Sequence, residues 1–122
     1  MTDQEQYDLH LTLAEYYAKE KGWEIFVDQN SYFTAIKYKV PPDYQGETTY
    51  VPAHKLTDLN WLAELLRMLA AEGKVVSIKI YPKQGEWDVM LFWSLFKSVT
   101  ATADTIELAL AQCLGKLIKE QP

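Results

Sequence analysis

The chain has 122 residues, 48% of them apolar, and a net charge of −5, which suits one domain with a real core. A single arginine, Arg67, and no dense lysine cluster exclude a nucleic-acid groove, so no direct nucleic-acid partner is expected. The lone cysteine, Cys113, excludes an intrachain disulfide, and no apolar run approaches the ~20 residues of a membrane helix, so no membrane partner is expected either.

The start, Met1–Gln6, is polar and acidic, where a signal peptide needs a basic start and an apolar run; a cytoplasmic protein is expected, with Met1–Gln4 and Glu120–Pro122 frayed. Asp3 to Lys21 reads as a helix, with Tyr7, Leu11, Ala14 and Ala18 at helical spacing, Thr2 or Asp3 as its cap and Gly22 as a left-handed stop. His10 lies near that stripe and reads as a boundary histidine with an ordinary hydrogen bond. Trp23 to Asp28 is a strand, Asp28–Gln29–Asn30–Ser31 a turn, and Tyr32 to Val40 the return strand. On the return strand Thr34, Ile36 and Tyr38 share one face. Lys37 and Lys39 share the other, as expected near a charged sheet edge.

Pro41 and Pro42 supply no amide donor and end regular pairing. Glu47 to Val51 predicts a short edge strand. The irregular stretch from Pro41 to Leu56 is the longest in the chain, and such loops carry function more often than average. It holds Tyr44, Tyr50, His54 and Lys55, polar groups able to converge on a ligand.

Thr57 opens a second helix, with Leu59, Leu62, Leu65, Leu66 and Leu69 as its stripe and Glu72–Gly73 as its end. Trp61 and Met68 lie off the centre of that stripe, as core margin or as a partner surface. Lys74 to Pro82 is a strand, and Pro82–Glu86 a hairpin turn. Then comes Trp87 to Thr100, WDVMLFWSLFKSVT. Taken two at a time, Trp87, Val89, Leu91, Trp93 and Leu95 face one way, and Met90, Phe92 and Phe96 the other. A strand apolar on both sides is covered on both sides, so this stretch predicts the central strand of a sheet. The residues Ala101–Thr105 start a last helix, capped by Thr102 or by Asp104 with Glu107, with Ile106, Leu110, Cys113, Leu114 and Leu117 inward. The expected fold class is α+β: a single antiparallel sheet of four or five strands with helices on both faces, in the order α-β-β-(β)-α-β-β-α.

Two stretches, Leu56–Leu69 and Trp87–Ile118, resemble the phage ABA (α/β/α) sandwich domain family. The matching features are Asp58–Leu59–Asn60 at the start of the middle helix, Ala103–Asp104–Thr105 before the last one, and Ala109, Ala111 and Cys113 within it. The Trp23 strand pair looks like the family's start. Where the family often places Pro-x-Tyr, this chain reads Ala53–His54–Lys55, which leaves Tyr44 or Tyr50 to serve in that tyrosine's stead. The resemblance implies one α/β/α-sandwich domain over residues 1–122 and a phage or prophage origin, hence the cytoplasm of a bacterial host. It implies no reaction.

No nucleophile elbow, phosphate-cradling loop, Cys-x-x-Cys or metal-spaced His/Glu pair occurs, so no catalytic residue, metal or cofactor is expected. Four Trp, eight Tyr and four Phe exceed what a small core must have, and aromatics favour interfaces. The expected function is a non-enzymatic phage accessory protein that binds a host protein or sequesters a small metabolite, through Tyr44, Tyr50, His54 and Trp61. The alternatives are a small enzyme with a site near His54, and a self-assembling, virion-associated component that forms a homo-oligomer.

Overall fold

The computed structural model describes residues 1–29, 34–42 and 45–120. These contain three helices and six strands, and the fold is α+β. The elements are α1 (Asp3–Lys21), β1 (Glu24–Gln29), β2 (Thr34–Val40), β3 (Thr49–Pro52), α2 (Leu59–Ala71), β4 (Ser77–Lys83), β5 (Glu86–Phe92), β6 (Ser98–Ala103) and α3 (Ile106–Glu120). The strands form two antiparallel sheets, in the orders β1-β2-β3 and β4-β5-β6, where the sequence predicts one sheet of four or five. Two compact units carry them, Met1–Lys55 and Leu56–Pro122.

In the first unit α1 begins in a capping box. Thr2 Oγ1 accepts from the Glu5 N–H at 3.1 Å, and the Glu5 carboxylate accepts from the Thr2 N–H at 3.2 Å. These bonds to Thr2 hold the Glu5 carboxyl below its usual range. Gly22 ends the helix in the left-handed region, φ 74°. Helix α1 lies against β1 and β2. Ile36 and Tyr38 are buried beneath it, with Leu9, Leu13, Ala14 and Tyr17 of the helix. Lys37 and Lys39 point the other way. They sit on the central strand rather than near an edge, and each is held by a carboxylate of β1: Lys37 by Asp28 at 3.1 Å and Lys39 by Glu24 at 3.9 Å. The predicted turn residues Asn30 and Ser31, and Tyr32 and Phe33, lie outside the described residues.

In the second unit Asp58, not Thr57, caps α2, accepting from the Trp61 N–H at 3.2 Å. Helix α2 packs on α3, and α3 packs on β5 and β6. Val89, Leu91, Val99 and Ala101 form the covered face of that sheet. Met90 and Phe92, on its other face, remain half-buried. Helical cover within this unit therefore lies on one face, where both were expected.

The predicted central strand is also shorter. It ends at Phe92, turns through residues 93–97 and returns as β6, which takes up the Ala-Thr-Ala stretch expected to open the last helix. The Trp93 N–H donates to the Lys97 carbonyl at 3.2 Å, and Ser94 Oγ accepts from the Phe96 N–H at 3.3 Å, closing the turn. Thr105 caps α3, its hydroxyl accepting from the Leu108 N–H at 3.2 Å, where Thr102 or Asp104 was expected.

Candidate functional site

Pairing of β3 with β2 carries the chain toward His54: the Ala53 N–H donates to the Ile36 carbonyl at 2.9 Å, one residue beyond Pro52. His54 is half-buried, and its Nδ1 lies 3.1 Å from the Tyr38 hydroxyl. Its carbonyl accepts from His10 Nε2 of α1. A carbonyl only accepts, so the neutral His10 ring carries its proton on Nε2. The Tyr17 ring meets the His54 ring edge-on at 5.2 Å, and Tyr38 lies 5.5 Å from Tyr17 and 5.6 Å from Trp23. His54 thus belongs to an aromatic cluster that ties the end of β3 to β2 and α1. Among the described residues no three His, Cys, Asp or Glu side chains gather as a metal needs.

Burial lowers the His10 pKa from 6.5, against the pull of its bond to the His54 carbonyl. The stability gained by keeping His10 neutral is fully present above pH 6.5 and is lost as the pH falls through the lower folded value. Between about pH 7 and pH 5 the wild type is expected to lose stability more steeply than His10→Gln, which keeps an N–H donor without the titration. Urea unfolding at each pH checks this.

Of the other proposed site residues, Tyr50 shares the unit of His54 but lies on the sheet face opposite Tyr38. Tyr44 lies outside the described residues. Trp61 is 1% exposed, too deep to serve a partner while the protein is folded. Tyr50 is 48% exposed on β3. Its ring stands 5.0 Å from that of Phe26, which is 41% exposed on β1. The two rings bridge diagonally over β2, since Phe26 neighbours Lys37 and Tyr50 neighbours Lys39 across the registers. An exposed aromatic pair thus lies among two lysine–carboxylate pairs on the face turned away from α1. Composition and loop length do not single out Phe26. The signal was its alternation with Ile25 and Val27, which puts one of the three apolar residues of that strand outward.

The second unit carries a different apolar feature. Leu95 and Phe96, in the turn after β5, are 90% and 96% exposed. Beside them is an open cleft of about 180 Å³ lined by Val76, Ser77, Lys79, Phe92, Ser94 and Leu95. Cys113 is buried, its thiol donating to the Val89 and Val99 carbonyls at 3.4 and 3.3 Å. Burial pushes its pKa up to about 11, which keeps it protonated and unreactive. No helix among the described residues is long and apolar enough to cross a membrane.

No protein-family profile, no curated protein and no solved structure matches the chain.

Proposed function

We propose that the chain is a non-enzymatic binding protein, a phage or prophage-derived accessory that engages a host protein in the bacterial cytoplasm. The outer face of the β1-β2-β3 sheet is the contact surface. The observation that carries this reading is the exposed Phe26–Tyr50 pair, 5.0 Å apart and flanked by the Lys37–Asp28 and Lys39–Glu24 ion pairs. Aromatic rings within a polar, charged surround match the composition of protein-binding patches. The surface is a sheet face rather than a concavity, which favours a protein over a small metabolite. The phage origin rests on the resemblance at Asp58–Leu59–Asn60 and in the last helix.

The test is affinity capture from bacterial lysate, followed by titration of the captured protein. Wild type is expected to retain one stoichiometric partner. Phe26→Ala and Tyr50→Ala are each expected to weaken binding at least about tenfold, the loss typical of central interface aromatics, with unchanged circular dichroism. Full affinity in both variants removes this face from the proposal.

A further inference from the structure

The β4-β5-β6 sheet has two edges, and they differ. At the β6 edge the Lys116 amine of α3 donates to the Thr100 carbonyl at 2.7 Å, filling an outward acceptor. At the other edge all seven residues of β4, Ser77–Lys83, are exposed. The turn Gln84–Gly85 joins Lys83 to Glu86, so that pair closes the hairpin with a hydrogen-bonded pair. Bonding alternates along antiparallel strands. Tyr81, Lys79 and Ser77 therefore bond inward to β5, while Ile78, Ile80 and Pro82 turn their main chain outward. The bond from the Trp93 N–H to the Lys97 carbonyl agrees, because it directs the odd residues of β5 to β6 and leaves the even ones to β4. Pro82 then places its missing donor on the free side, where it costs the sheet nothing.

We propose that this edge pairs with the same strand of a second copy of the chain, antiparallel about Ile80. In that register Ile80 exchanges both main-chain bonds with its counterpart, and each Ile78 N–H donates to the Pro82 carbonyl of the other copy. Lys79 falls opposite the Tyr81 of the second copy, and Ser77 opposite its Lys83. Ile78, Ile80 and Pro82 all share the face that carries Val89 and Leu91, so the α3-covered side continues across the junction. The strand also disfavours the neighbouring registers. Hydrogen-bonding phase allows only steps of two residues between registers. A step one way sets Lys79 against Lys79, and a step the other way sets Lys79 against Lys83, like charges directly opposed. Pairing about Ile80 overlaps the whole strand without such a clash. One strand edge is small against a standard interface of ~800 Å² per partner, so the dimer is weak and depends on concentration.

Sedimentation equilibrium of the full chain, from micromolar to millimolar concentration, tests this. Wild type is expected to pass from monomer to dimer mass, and Ile80→Lys to remain monomeric with an unchanged thermal melt. The turn variant Phe96→Ser is expected to dimerise as wild type does. A second measurement uses Ile80→Cys under a mild oxidant. Counterparts in a hydrogen-bonded pair lie about 5.5 Å apart at Cα, within disulfide range, so a covalent dimer is expected, whereas Thr102→Cys at the opposite edge gives none. A wild-type monomer at every concentration overturns the proposal. So does a dimer that survives Ile80→Lys, one lost in Phe96→Ser but not in Ile80→Lys, or equal cross-linking at both edges.

Discussion

Truncating Trp61 to alanine is expected to destabilise the protein by about 3–5 kcal/mol, read from urea or thermal unfolding. Trp61 is the largest of the fully buried side chains, in the first turn of α2, on one stripe with Leu62, Leu65 and Leu69. Removing the indole leaves a void that close-packed neighbours fill only in part, so a cavity cost adds to the lost burial. Phe96, 96% exposed, provides the contrast: Phe96→Ala is expected to change stability by less than about 0.5 kcal/mol. Equal costs at the two positions contradict the assignment of Trp61 to the core and Phe96 to the surface.

Tyr38→Ala is the second large effect, also about 3–5 kcal/mol. Tyr38 is 1% exposed, its ring lies against Tyr17, Trp23 and His54, and its hydroxyl meets His54 Nδ1. Alanine there empties the centre of the aromatic cluster and strips His54 of that bond together. Tyr38→Phe separates the two contributions. It keeps the ring and removes only the hydroxyl, so the expected cost falls to about 1–2 kcal/mol. A full-sized loss in Tyr38→Phe means that the hydrogen bond, not the ring, holds the cluster.

The two variants also mark where sequence periodicity sufficed and where it failed. Alternation along Thr34–Val40 placed Ile36 and Tyr38 inward and the lysines outward, as observed, because a strand's period of two leaves little freedom. Helix α1 and its glycine stop were legible for the same kind of reason: the cap and the left-handed position each demand particular residues. On α2 the leucines at 59, 62, 65, 66 and 69 span a wide arc, and several rotations bury most of them. The helix settles with Trp61 inward and Leu59 exposed.

Sequence pattern and structure differ most at Trp93–Lys97. No Gly, Pro, Asn or Asp marks that turn, and its own Trp93, Leu95 and Phe96 are as apolar as the strand before it. A two-faced apolar run therefore concealed a hairpin. The same ambiguity hid the partition into two sheets, since hydrophobic pattern identifies strands but not which strands share a sheet. At the candidate site the sequence names Tyr50 as a contact residue, but its companion Phe26 lies on another strand. Only the pairing of β1, β2 and β3 brings them together.

That hairpin decides which apolar groups are core and which are display, and the bonding phase of β4 follows from it. Met90 and Thr100 face each other in a non-hydrogen-bonded pair of β5 and β6, the kind in which α-carbons approach most closely. A nuclear Overhauser spectrum of the full chain is predicted to show a strong Hα–Hα cross-peak between these two residues. Its absence, with slowly exchanging amides running unbroken from Trp87 through Phe96, contradicts the hairpin.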